Sequence, residues 1–98
     1  MKDLEARIKA YADERWPGRT VGGKLDKLTE EVHELYNGVI CFSAKRSIAL
    51  EIADCAIVLS DMAQLMGFSL QECIAMKVPI LEKRLENIKA GRPEKEGE

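Results

Sequence analysis

An all-α fold follows from three observations on the 98-residue sequence. Apolar residues recur at helical spacing in four segments, glycine, proline and asparagine punctuate the gaps, and no segment alternates apolar and polar residues as a half-buried strand would. The length fits one domain over residues 1–91, with a disordered tail at 92–98. So short a chain buries a modest core, so the expectation is a four-helix bundle-like unit completed by homo-oligomerisation.

The first helix is expected from Lys2 to about Arg15, with Leu4, Ile8 and Tyr11 on one face. The stretch WPGRTVGG, Trp16 to Gly23, breaks it with one proline and three glycines. A second helix runs from about Lys24 to Tyr36 and stops at Asn37-Gly38, a helix-end signal. The residues that follow, VICFSAKR, fit a loop, a short extended piece or an early start of the next helix. The third helix covers about Ala44 to Met66 and ends at Gly67. The fourth opens on a capping box, Ser69 as N-cap and Glu72 three residues on, with Phe68 and Cys73 as hydrophobic staple. It continues to about Ala90, with Pro79 inside it as a predicted kink.

Composition excludes several functions. Net charge is −2 with 33% charged residues of both signs, which argues against a nucleic-acid protein built on a basic patch. The most apolar run, Ile48 to Met66, is interrupted by Glu51, Asp54 and Asp61, so no membrane span is expected. No charged-then-apolar leader opens the chain. Cys41, Cys55 and Cys73 are odd in number and lack CxxC spacing, which reads as three buried thiols in a reducing, cytoplasmic compartment.

The acids of KLTEEVHEL pose the functional question. At about 100° per residue, Leu25, Leu28, Val32 and Leu35 form the stripe expected to be buried. Glu31 lies about 60–80° from its centre and Glu34 about 120–140°, on the same flank and one turn apart. Glu30 is further round, and His33 lies on the other side. The third helix has fourteen apolar residues among the nineteen from Ile48 to Met66, yet carries Glu51 and Asp54 one turn apart. Carboxylates on such a face need a cation. If the two helices pack antiparallel, Glu31, Glu34, Glu51 and Asp54 form an all-oxygen cluster suited to Mg²⁺ or Mn²⁺.

EEVHE followed by EIAD resembles the EExxE…ExxD signature of the MazG-like, all-α nucleoside triphosphate pyrophosphohydrolases. The resemblance runs from about Trp16 to Arg84, and WPGRTVGGKLDKLTEEVHEL resembles the small phage-type members. It implies that Glu31, Glu34, Glu51 and Asp54 bind Mg²⁺ on the triphosphate of a (d)NTP, and that water attack releases a nucleoside monophosphate and pyrophosphate. Lys77 and Arg84 match a lysine and an arginine seven residues apart in the family's last helix, which implies phosphate contact. Leu81 stands where relatives carry an asparagine, Val58 where an aromatic is common, and the tryptophan expected after Arg84 is missing. Glu30 is left either to orient the attacking water or to be solvated. Trp16 either stacks on a base or caps the core. The partners implied are a (d)NTP and further copies of the chain, as homodimer or homotetramer. Two other readings stay open on the residues alone: a di-iron carboxylate bundle using the Glu30-x-x-His33 pair, and a non-catalytic helical adaptor.

Overall fold

The computed structural model of the chain describes residues 2–95, which form four helices: α1 Lys2–Arg15, α2 Val21–Ile40, α3 Lys45–Leu65 and α4 Leu70–Lys89. There is no strand among the described residues, and no helix is long and apolar enough to cross a membrane. Helix α3 is central: it packs on α2 most extensively, then on α1 and α4.

α1 has the expected bounds, whereas α2 is longer at both ends. Its N-cap is Thr20, whose hydroxyl accepts from Gly23 N at 3.1 Å, so Gly22 and Gly23 fall inside the first turn. At the far end the helix runs through Asn37-Gly38 to Ile40. The stop is made by Phe42, which takes the left-handed conformation at φ 55°. Phe42 N donates to Val39 O at 3.2 Å and Ser43 N to Gly38 O at 3.0 Å, a Schellman closure with phenylalanine where glycine is usual. That substitution costs about 1–2 kcal/mol. The helix runs past the local stop signal with Val39 and Ile40 exposed, and the segment VICFSAKR forms helix end, turn and, at Lys45, helix start.

α3 and α4 end conventionally. Gly67 at φ 88° and Gly91 at φ 73° each support a six-residue closing bond, Phe68 N to Ala63 O and Arg92 N to Asn87 O. Helix α4 continues through Pro79. Beyond it, the carbonyl of Glu94 accepts from the buried Asn87 amide at 3.2 Å, so the start of the predicted tail lies back against the helix. Residues 96–98 of that tail lie outside the described residues.

The interior is unusually polar. Among the described residues the buried apolar ones are Ala12, Val58 and Ala63, beside six polar ones: Glu5, Lys24, Glu31, Ser60, Asp61 and Asn87. The accessible surface is 7393 Å², against about 5,600 Å² expected for a compact monomer of this mass. The radius of gyration is 16.6 Å, against about 12.6 Å expected. The predicted stripe on α2 is split: Leu28 and Leu35 are half-buried, but Leu25 and Val32 are 52% and 48% exposed. Tyr36, Phe42, Met66 and Met76 are exposed on this chain as well. No cysteine is fully buried: Cys41 is exposed, Cys55 and Cys73 half-buried.

One long-range device fixes α1 to the start of α4. Ser69 accepts from Glu72 N at 3.0 Å, as the sequence suggests, but the carboxylate that meets this helix end is that of Glu5. Its oxygens accept from Leu70 N, from Gln71 N at 3.2 Å and from Ser60 Oγ at 2.8 Å. Burial alone would raise the Glu5 pKa; these hydrogen bonds, Leu70 first, bring it below its ordinary value of 4.5. A carboxyl lowered in the folded state contributes stability above pH 4.5, lost progressively as the pH falls through the lowered value. Glu5→Gln should therefore lower the melting temperature at pH 7 and flatten the loss of stability below pH 4.5. An unchanged acid limb in a pH series of melts would refute this role.

Candidate metal centre

α2 and α3 bring Glu31 to the acid pair of α3, while Glu34 groups with Glu30 and Glu31 on its own helix. Carboxylate oxygens of Glu31, Glu51 and Asp54 lie within 4.8 Å of one another, and so do those of Glu30, Glu31 and Glu34. Glu31 belongs to both groups and is 6% exposed. The reason is the rotation of α2: Lys24, Leu28, Glu31, Leu35 and Gly38 form the ridge turned towards the protein interior, one step round from the stripe that hydrophobicity alone selects. Glu31 is thus an interior residue rather than one at the boundary.

The electrostatics of this cluster are incomplete. Glu31 Oε2 and Glu51 Oε2 are buried without a hydrogen-bond partner among the described residues. Orphaned carboxylate oxygens are costly in a low-dielectric interior unless a cation meets them. One counter-charge comes from Lys27, whose ammonium lies 2.9 Å from Glu31 and 3.7 Å from Glu30. The Glu31 contact raises the Lys27 pKa, against the opposing effect of burial. The remaining negative field is felt at Glu34, whose pKa is raised first by Glu31, then by desolvation, Glu51 and Glu30. Cys55, next to Asp54, has its thiol pushed up by burial and by the same carboxylates. An all-oxygen donor set of this kind with two unsatisfied oxygens fits a hard divalent cation such as Mg²⁺ or Mn²⁺.

Beside the carboxylates runs an open groove of about 830 Å³ between α1 and α3. Glu31, Asp54 and Lys27 border it together with Ile8, Tyr11, Trp16 and Ile57. That size is in the range of small-molecule sites, and its wall mixes apolar and aromatic residues with charged ones, Glu5 and Arg7 on α1 and Lys27, Glu31 and Asp54 across from them. Trp16 therefore sits on the same groove as the acids.

Other predicted residues fall elsewhere. Glu30 and His33 are exposed, so the ExxH pair faces away from the interior. Lys77 is exposed on α4. Arg84 is half-buried and lines a separate cavity of about 320 Å³ with Pro79, Ile80 and Asn87. Neither basic residue borders the groove that holds Glu31 and Asp54.

The structure adds residues that the sequence did not single out. Asp61 is 1% exposed, and Arg19 Nε donates to both its oxygens at 2.8 Å. Lys24 lies 3.2 Å from the same carboxylate, and Arg19 also reaches Asp13 at 2.7 Å. A signal existed: Asp61 is two turns after Asp54 in an apolar helix, and a buried acid demands a cation. Its partners lie 42 residues or so upstream, beyond local pattern.

The chain is similar to two phage proteins named dATP/dGTP diphosphohydrolase. It is 37% identical over 83 residues to that of Salmonella phage PMBT28, covering 85% of this chain and 27% of that protein. With that of cyanophage S-2L it shares 35% over 82 residues, covering 84% of this chain and 73% of the relative. The chain thus spans about a quarter of the length of the first and about three quarters of the second. No family model matches the chain, and neither does any solved structure.

Proposed function

The chain belongs to the MazG-like family of phage proteins that includes these diphosphohydrolases, and from that premise we propose that it is a divalent-metal-dependent nucleoside triphosphate pyrophosphohydrolase. The reaction adds water to a (d)NTP and yields (d)NMP and pyrophosphate. The names of the relatives make dATP and dGTP the first substrates to examine. The observation that carries the reading is the Glu31–Glu51–Asp54 cluster with its two orphaned oxygens.

Glu31, Glu51 and Asp54 would hold Mg²⁺, with Glu34 completing the set through its proximity to Glu31. When bound, the metal supplies charge neutralisation on the triphosphate and a more acidic water. The chain's own residues do the rest. Glu30, exposed beside Glu31, orients the attacking water and takes its proton. Lys27, already balancing Glu31, adds positive charge on the phosphate side of the groove. Trp16 contacts the base at the apolar end. Release of pyrophosphate from dATP and dGTP with Mg²⁺, abolished by chelator, is the expected result; no turnover of any canonical (d)NTP would overturn the proposal.

The working protein is proposed to be a homodimer or homotetramer, and this bears on Lys77 and Arg84. An open chain with about 1,800 Å² of excess surface has ample area for a stable interface. In such an assembly α4 of one protomer would carry Lys77 and Arg84 to the phosphates held by its neighbour. Inactive Arg84→Ala and inactive Asp54→Asn chains, mixed and refolded together, should then recover about a quarter to a half of wild-type activity, because one site per mixed dimer is intact. If mixing restores nothing, or Arg84→Ala alone is fully active, Arg84 is no phosphate ligand in trans.

A further inference from the structure

We infer that Asp61 is a positioning residue, acting through Lys24 and Arg19 to hold Trp16 at the groove, an inference that rests on the base-contacting role proposed for Trp16. Four observations converge on the ring. The Lys24 ammonium lies 3.8 Å from the indole centroid and 3.2 Å from Asp61, so one cation joins the buried acid to the aromatic face. Arg19, bound through Nε to both Asp61 oxygens, donates its amide to Trp16 O at 3.1 Å and Nη1 to the same carbonyl at 3.4 Å. Tyr11 meets the ring edge-on at 5.4 Å and 81°. The recess shared by Trp16, Lys24 and Asp61 holds about 30 Å³, room for one water and not for an indole.

The chemistry of the triad explains why a positioning role is favoured over plain support. Arg19, Lys24 and Asp61 have side chains 8%, 7% and 2% exposed. Removing three charges from water is expensive, and apolar residues of similar volume would tie the Trp16–Thr20 loop to α3 at least as firmly. What apolar packing lacks is direction. A carboxylate that accepts from a guanidinium and an ammonium together fixes where the ammonium stands over the Trp16 ring, which the Arg15 guanidinium also approaches, at 5.7 Å. The same contacts absorb the WPGR…K pattern of the sequence, which the carboxylate chemistry leaves unused.

Trp16 is the sole tryptophan, so intrinsic fluorescence reports this ring alone. In the full chain, Lys24→Met leaves Arg19 on Asp61 and should keep the helical signal. It should raise acrylamide quenching of Trp16 about twofold, and KM for dATP or dGTP about tenfold, with kcat within about twofold. Lys24→Arg, which keeps a cation over the ring, should recover most of the KM. In a Trp16→Ala background Lys24→Met should raise KM no further, because the two act as one unit. Asp61→Asn should reproduce the Lys24→Met phenotype; should it fail to fold, Lys24→Met decides. Unchanged KM and quenching in Lys24→Met with a lowered melting temperature would make the triad a structural tie and overturn the inference. So would a KM effect that persists undiminished without Trp16. If instead Trp16→Ala leaves KM unchanged and nucleotide leaves wild-type emission unchanged, the base contact itself is wrong; the quenching change in Lys24→Met then shows the triad holding a ring that no substrate touches.

Discussion

Glu31→Gln and Asp54→Asn should each reduce Mg²⁺-dependent hydrolysis at least about a thousandfold, some 4 kcal/mol of transition-state stabilisation, while the helical signal is retained. Glu31 carries the larger expected effect because it belongs to both oxygen groups and lies buried between them. Stability should move the other way. The raised Glu34 pKa reports a surplus of negative charge around Glu31, Glu51 and Glu30 in the metal-free chain. Neutralising one acid relieves that repulsion, and in Glu51→Gln the new amide can donate beside the orphaned Glu31 Oε2. The metal-free Glu51→Gln protein should therefore melt no lower than wild type, and a few degrees higher if relief amounts to about 1 kcal/mol. Added Mn²⁺ should stabilise wild type and leave this variant unmoved, since binding to the native state is what raises its melting temperature. Wild-type turnover in either Glu31→Gln or Asp54→Asn would remove the metal assignment.

Leu81→Asp should dissociate the assembly and take most of the fold with it. On α4, Ile74, Val78, Leu81, Leu85 and Ile88 follow a four-three spacing and are all between 43% and 54% exposed on the single chain. Such spacing is that of a helix that packs on another, the basis of the assembly proposed above. On α3, whose Ile48–Met66 run reads as apolar nearly all round, Leu50, Ile52, Ile57, Leu59 and Leu65 remain exposed too. Three apolar residues are fully buried among the described ones, a small apolar interior to set against chain entropy. Light scattering at low micromolar concentration should give at least about twice the 11.0 kDa chain mass. In Leu81→Asp the mass should fall, and the melting temperature should drop by more than about 10 °C, because the seam is then charged at its centre. A stable, folded wild-type monomer at that concentration would contradict the expectation.

The acid cluster was largely legible because its ingredients are local. Two carboxylates one turn apart on each of two helices point to a shared face, on which Glu31 is buried, Glu51 half-buried, and Glu34 and Asp54 exposed. Which residue is innermost was not legible. Hydrophobicity places the α2 stripe on Leu25 and Val32, but in the chain Lys24 and Glu31 are turned inward. Lys24 meets the buried Asp61 at 3.2 Å and Glu31 meets Lys27 at 2.9 Å, and the apolar ridge stays exposed beside them.

Helix number, the bounds of α1, the Ser69 cap and the pairing of acids follow from spacings of three and four residues, and the sequence by itself determines them. The capping of α4 by Glu5 and the Asp61 triad were decided by tertiary structure alone. Glu5 and Leu70 are 65 residues apart, Arg19 and Asp61 are 42. Local periodicity reflects the turn of one helix, and a hydrogen bond within it closes over four residues. A buried charge instead takes whichever partner packing brings within reach, and no repeat in the sequence marks that partner before the helices meet.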